Sequence, residues 1–360
     1  MTKALIMEKI DGKPGQVYYP IKVVEVPTPS PKANELQVQI QAAALNHRDF
    51  FLRQHLYPAP SFSTPFFADG TGIVTAIGSS ADKFWLGKRV ILTPGRGWTS
   101  DPDGPEEKYA ILGGTSTFPL GTGQEILCVA EDEVEECPAH LSPAEGAAFP
   151  LVGLTGWRAL VSKSGNARAG RNVLITGIGG GVALSVLQFA VSLGMNAYVT
   201  SGDQEKIDKA VKIGAKGGVS YKTVGWEKEL MASLPKDRPY IDTIIDGAGG
   251  NITSKAVKLL KFGGTVVQYG MTVSPKMDWT MAAVLKNIEL RGSTMGSRKE
   301  FKEMVQFVNE KQMKPIVSRI AKGGLSNLKE INELFDEIRD GRQFGKLVIE
   351  VSPEASSSKL

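Results

Sequence analysis

The sequence predicts a mixed α/β protein of two domains: a β-rich part resembling a partly closed barrel, and a doubly wound parallel sheet. Three observations carry this. The chain has 360 residues, more than one hydrophobic core usually holds. Its first 140 or so residues are rich in Pro and Gly and show short alternating runs, whereas later residues alternate strand-like and helix-like stretches. The expected boundaries are 1–150 with 296–351 for the β domain, 151–295 for the parallel-sheet domain, and 352–360 for a polar tail.

In the first part, Leu36, Val38 and Ile40 alternate with Gln37, Gln39 and Gln41, the period of a half-buried strand. Further β runs at 72–77 and 88–92 are bounded by turn residues, as in a small barrel. Between Thr93 and Gly123 regularity gives way to a long loop. At Ser142-Pro143-Ala144-Glu145 a capping residue, a proline at the first helical position and an acid three after the cap announce a helix. Strands are expected at 172–176, 197–200, 241–246 and 265–269, with helices at 182–193, 207–213 and 254–260. A short strand at 288–290, helices at 300–311 and 328–338, and a last strand at 346–351 complete the chain. The last strand, with Leu347, Ile349 and Val351 alternating, is expected to rejoin the first domain.

Composition narrows the function. The charge is 42 − 38 = +4 without a basic block, which disfavours nucleic acid as a partner. The longest apolar stretch, 181–195, is broken by Ser185, Gln188 and Ser192, and reads as a packed helix rather than a membrane span. Cys128 and Cys137 are too few for a disulfide framework or a four-thiolate site and are expected to behave as small buried hydrophobes.

Glycine is in excess, at 40 residues, and the informative cluster follows the strand 172–176: Gly177-Ile178-Gly179-Gly180-Gly181-Val182, leading into a helix. Glycines there allow a tight turn and close approach of the backbone to a pyrophosphate, which sits on the positive helix terminus. Some twenty residues further on, where an acid would bind the ribose of NAD, stand Thr200 and Ser201. Without that carboxylate a 2′-phosphate is tolerated, and Ser201, Lys206 and Tyr221 could bind it, so NADPH is the expected cofactor. Asp203 qualifies this reading, because a two-residue register shift would bring it to the ribose; Lys206 could equally be a solvated helix lysine.

The order of Ala44-Leu45-Asn46-His47-Arg48-Asp49, Gly70-Thr71-Gly72-Ile73-Val74, Gly87-Lys88-Arg89-Val90, Gly153-Leu154-Thr155-Gly156-Trp157, the glycine turn and Phe344-Gly345-Lys346-Leu347-Val348 resembles the medium-chain dehydrogenase/reductase superfamily, in its zinc-independent quinone oxidoreductase and enoyl reductase branch. The resemblance implies a GroES-like β domain, a Rossmann domain and hydride transfer from NADPH to a small conjugated carbonyl substrate. Zinc-dependent members place Cys, a His-Glu pair and a second Cys where this chain has Asn46, Ala68-Asp69 and Leu151, so no metal is expected. His47, His55 and His140 offer no zinc-ligand spacing. Residues matching Asn46, Asp49 and Tyr57 line the reactive region of quinone reductase relatives, although Asn46 and Asp49 could instead tie a strand-to-helix corner and Tyr57 could pack at a loop. The resemblance also places Thr155, Gly270 and Met271 on the nicotinamide side. A homodimer formed through an edge strand at 288–291 is a further implication.

Two other oxidoreductase or binding readings compete: a zinc-free alcohol dehydrogenase and a non-catalytic NADPH-binding protein. A short-chain dehydrogenase does not fit, because its Tyr-x-x-x-Lys spacing occurs here only at Tyr18 and Lys22, before the glycine turn and around Pro20. Finally, Ser358-Lys359-Leu360 spells a peroxisomal address, which predicts an import receptor as partner and the peroxisomal matrix as location.

Overall fold

The structure, a computed structural model, describes residues 1–274 and 276–352. The tripeptide Ser358-Lys359-Leu360 lies outside the described residues. By contacts the chain divides into two compact units, one of Met1–Leu151 with the chain from Ser297, the other of Val152–Gly296.

In the first unit the long strand Glu35–Ala44 is central. Leu36, Val38 and Ile40 point into the core with no exposure, as the alternation predicts. One edge of this strand pairs with Asp69–Ile77, and the other pairs with Ile126–Ala130 along its first half and Lys346–Glu350 along its last residues. The final strand therefore does return to the amino-terminal sheet, with Val348 opposite Ala44. Helix Leu328–Arg339 buries Ile331, Leu334, Phe335 and Ile338 against the same core. The helix at Pro143–Ala148 starts as read, with Ser142 Oγ accepting from the Glu145 N–H and the Glu145 carboxylate accepting from the Ser142 N–H. Within the expected long loop the two-residue strands Gly95–Arg96 and Ala110–Ile111 pair, and Thr115 forms an isolated bridge with Pro60. Cys137 is buried, but Cys128 is half-buried, correcting the expectation for that residue; burial pushes its thiol up to about 11.

The second unit is a six-stranded parallel sheet. Its spatial order is Gly217–Ser220, Asn196–Ser201, Asn172–Ile175, Ile241–Asp246, Leu260–Gln268, Glu289–Gly292. Numbered along the chain this is 3-2-1-4-5-6, the doubly wound order whose switch point lies between the first and fourth strands. Asn172–Ile175 and Ile241–Asp246 are buried throughout, as parallel strands covered on both faces must be. The strand Gly217–Ser220 and the helix Trp226–Ser233 were not anticipated. Two glycines give that strand no apolar alternation, and the helix is short. Gly153 to Trp157 belongs to helix Pro150–Trp157, where Gly156 lets the helix approach Ser185 and Val186: a β-carbon there would stand 3.1 Å from a Val186 methyl.

Candidate active site

The glycine turn lies between strand Asn172–Ile175 and helix Gly181–Ser192. Gly177 and Gly179 have φ of +63° and +121°, a region costly for side-chain-bearing residues, and no side chain lies near the missing β-carbon of Gly177. The helix is capped by Gly180 with no side-chain cap, and no acid stands in its first turn. Its first N–H groups, with those of Gly181 and Val182, thus present the positive end of a three-turn helix to an anion. The turn is tied to the second strand: Ile178 donates its N–H to the Thr200 carbonyl at 2.8 Å, and Gly177 donates to Thr200 Oγ1 at 3.3 Å.

Around the end of that second strand the structure gathers most of the residues expected to read the ribose. The Lys206 stem crosses the turn, its Cδ 2.9 Å from where a Gly179 β-carbon would sit, and burial lowers its ammonium pKa. The Tyr221 hydroxyl and Lys222 Cε come within 2.6 and 2.8 Å of the same position on Gly202. Lys222 was missed because it lies in an irregular turn with no motif around it. Ser201 is buried, with its Oγ accepting from the Asp203 N–H at 3.1 Å. The Asp203 carboxylate caps the next helix by accepting from the Glu205 N–H at 2.9 Å. Its register is thus fixed by a capping task.

The carboxyl ends of the first, fourth and fifth strands are joined by a carboxylate that sequence reasoning overlooked. Fully buried Asp246 accepts from the Thr176 hydroxyl, the Gly249 N–H and Gln268 Nε2, the last two at 2.6 Å. Gln268 also donates to the Gly270 carbonyl, which fixes the Gly270-Met271 turn. Thr155 is buried, and its hydroxyl meets Met295 Sδ at 3.5 Å. These groups are the ones that would hold a pyridine dinucleotide, and the open glycine cradle with an uncapped helix terminus fits its pyrophosphate.

The first unit holds the other candidate residues. Asn46 ends the chain segment after Glu35–Ala44 and begins helix His47–Arg53. Asp69 starts the neighbouring strand, opposite Ala44. On the other side the Leu45 N–H donates to the Leu347 carbonyl, which brings Lys346 beside Asn46. The buried Lys346 ammonium donates to Asn46 Oδ1 at 2.6 Å, to the Leu45 carbonyl at 2.7 Å and to Asp69 Oδ2 at 2.8 Å. Asn46 Nδ2 donates to Asp69 Oδ2 at 2.9 Å, and the Leu151 N–H donates to Asp69 Oδ1 at 2.8 Å.

Asp49 is fully buried and has a structural task. Its carboxylate accepts from the Asn46 N–H at 2.8 Å and from Arg48 Nη1 at 3.0 Å. Burial, opposed by the Arg48 charge, pushes its pKa up to about 6. Arg48 Nη1 and Nη2 also donate to the Leu112 and Gly113 carbonyls, and the guanidinium lies 4.6 Å from the Tyr57 ring centre. Asn46 is therefore tied to Asp49, and Asp49 through Arg48 to Tyr57, which is half-buried.

This donor set does not fit zinc. Of the positions where zinc relatives carry ligands, Ala68 and Leu151 offer no suitable side chain. Asn46 and Asp69 already hold an ammonium, which a dication approaching the same oxygens would face as a like charge. Among the described residues no group of three His, Cys, Asp or Glu is placed to hold a metal ion.

One chain that carries both a GroES-like unit and a doubly wound sheet with a dinucleotide turn has the make-up of a nucleotide-dependent oxidoreductase. Comparison with known proteins agrees: residues 32–139 match the alcohol dehydrogenase GroES-like domain and residues 181–310 the zinc-binding dehydrogenase family. A zinc-type alcohol dehydrogenase-like protein of Leptosphaeria maculans is 53% identical over 98% of this chain and 100% of its own. Mouse quinone oxidoreductase is 25% identical over 81% of this chain and 83% of its own. A solved structure of a putative alcohol dehydrogenase from Sinorhizobium meliloti superposes with a TM-score of 0.82 at 30% identity, covering 96% of this chain and 99% of that one. The chain belongs to the medium-chain dehydrogenase/reductase superfamily and is an oxidoreductase of that family.

Proposed function

We propose that the protein is a zinc-independent, NADPH-dependent reductase of conjugated carbonyls: a quinone, an enone or a 2-enoyl thioester. The observation that carries the reading is the Asn46–Asp69–Lys346 cluster, in which hydrogen-bonding groups stand where relatives would bind a Lewis acid. Polarisation by hydrogen bonds alone suits an acceptor whose charge spreads through conjugation better than a simple alcohol or ketone. The similarity to a quinone oxidoreductase supports the same class.

NADPH, when bound, would supply the hydride for the far carbon of the conjugated system. The chain's own residues do the rest. The glycine turn and helix terminus hold the pyrophosphate, while Ser201, Lys206, Tyr221 and Lys222 favour the 2′-phosphate. Asn46 donates an amide N–H to the oxygen where negative charge collects, and the Tyr57 phenol offers a proton there. A homodimer formed at the sheet edge and delivery to peroxisomes complete the proposal. The edge strand Glu289–Gly292 carries exposed Leu290 and is preceded in the chain by exposed Met281, Val284 and Leu285, which supports pairing there.

An NADPH-oxidation screen over quinones, short and long enones and enoyl thioesters, run with and without a chelator, tests the reading. Turnover of a conjugated acceptor that survives chelation is expected. Oxidation of simple alcohols when NADP+ is supplied in place of NADPH would instead assign a zinc-free alcohol dehydrogenase, and NADPH binding without any turnover a non-catalytic binder.

A further inference from the structure

The Asn46 amide is held from both ends by opposite charges. Its oxygen faces the Lys346 ammonium at 2.6 Å and one of its N–H groups faces the Asp69 carboxylate at 2.9 Å. Rotating the amide by half a turn would set N–H against ammonium and oxygen against carboxylate, so two repulsions would replace two charge-assisted bonds. One amide orientation is thus enforced by charge. It uses one of the two Nδ2 hydrogens, and among the described residues the second has no partner.

Lys346 itself is fully engaged, with three hydrogens on three oxygens. It has no donor left for a substrate, and its influence must pass through Asn46. Resting on the reduction proposed above, we infer that Lys346 is a positioning residue: its ammonium, neutralised by Asp69, locks the Asn46 amide so that one N–H stays available to the acceptor oxygen. A donor fixed before the reaction needs no reorganisation as charge develops, which is what makes such groups effective.

The alternative is that Lys346 only neutralises a buried carboxylate. The two roles separate in a set of full-length variants: Asn46→Ala, Lys346→Met with Asp69→Asn, and all three together. Lys346→Met alone would strand the Asp69 charge and could fail to fold; the paired change removes both charges at once. In Asp69→Asn the Leu151 N–H keeps the new amide's oxygen on its own side, so its NH2 faces Asn46 and, with no ammonium left to oppose it, favours the Asn46 amide turned by half a turn.

The paired variant is expected to keep a melting temperature within a few degrees of wild type and NADPH affinity within about twofold, while kcat falls about 10- to 100-fold with KM little changed, somewhat less than outright loss of an oxyanion donor. Adding Asn46→Ala to it should then cost nothing further, although Asn46→Ala alone lowers kcat of the wild type. Wild-type kcat in the paired variant would overturn the inference, as would the same fractional loss from Asn46→Ala in both backgrounds. If the wild-type protein reduces no acceptor, the functional reading fails on its own. The Asn46–Lys346 coupling is then read from melting temperatures, where strictly additive shifts overturn the locked amide and non-additive shifts uphold it.

Discussion

Replacing Lys206 by alanine should weaken NADPH and leave NADH nearly untouched. The Lys206 stem packs over Gly179, and the residue follows the strand end where the ribose is expected. A hydrogen bond between an ammonium and a phosphate is worth about 1.5–3 kcal/mol. Lys206 is only half-buried, so solvent screening argues for the lower end, about 1.5 kcal/mol, or roughly a tenfold rise in the NADPH dissociation constant. The NADH constant should stay within about twofold. Fluorescence titration of both nucleotides at low and high salt measures this, and the NADPH preference should shrink as salt rises. Because the stem also packs on the turn, Lys206→Met provides the control, keeping methylenes while removing the charge. Equal weakening of NADPH and NADH by Lys206→Ala, with Lys206→Met harmless, would mean that Lys206 supports the glycine turn and reads no phosphate.

Asp49 has a folded pKa of about 6, above the unfolded 3.8, so the folded state binds its proton more tightly. The stability it contributes is fully present below about pH 4 and is lost as pH rises through 6, by an amount on the order of 2–3 kcal/mol; chemical denaturation from pH 4 to 7.5 should show that descent in wild type relative to Asp49→Asn, and parallel curves would refute it. At the sheet edge, Leu285→Asp with Leu290→Asp should convert a dimer to a monomer in sedimentation velocity, and an unchanged sedimentation coefficient would remove this edge from the assembly. An amino-terminally labelled chain ending in Ser358-Lys359-Leu360 should enter peroxisomes and become diffuse when that tripeptide is removed; peroxisomal signal that survives the truncation would refute the address.

What could be read from the sequence was what is local. Alternation in 36–41 gave the central strand, the Ser142 and Glu145 pair gave a helix start, and the glycine run was interpretable because strand and helix flank it directly. Gly217–Ser220 was illegible for the converse reason, since Gly217 and Gly218 carry no side chains to set a period. The site follows the same division. The cofactor turn is contiguous, but Lys346 meets Asn46 across 300 positions and Asp69 across 277. Only the register of two strands on opposite edges of Glu35–Ala44 brings those groups together. Lys346 stands within the 344–348 motif, which carries no sign of partners so distant in the chain. Asp246 was hidden likewise, because its bonds to Thr176 and Gln268 join three separate strands.

The charge balance of the first unit's cluster has a consequence for how its residues can be probed. Arg48 and Lys346 supply two buried cations, and Asp49 and Asp69 two buried carboxylates, each pair in direct contact. Removing Asp69 or Lys346 leaves its partner charged and unpaired, typically a loss of about 3–5 kcal/mol, a large part of the stability of an ordinary domain. Single alanine changes at Asp69 or Lys346 would therefore both diminish activity, and for the same uninformative reason. Asn46 and Tyr57 carry no charge and can be replaced without that penalty. Their variants report on chemistry, whereas the charged residues report on it only when changed in neutralising pairs.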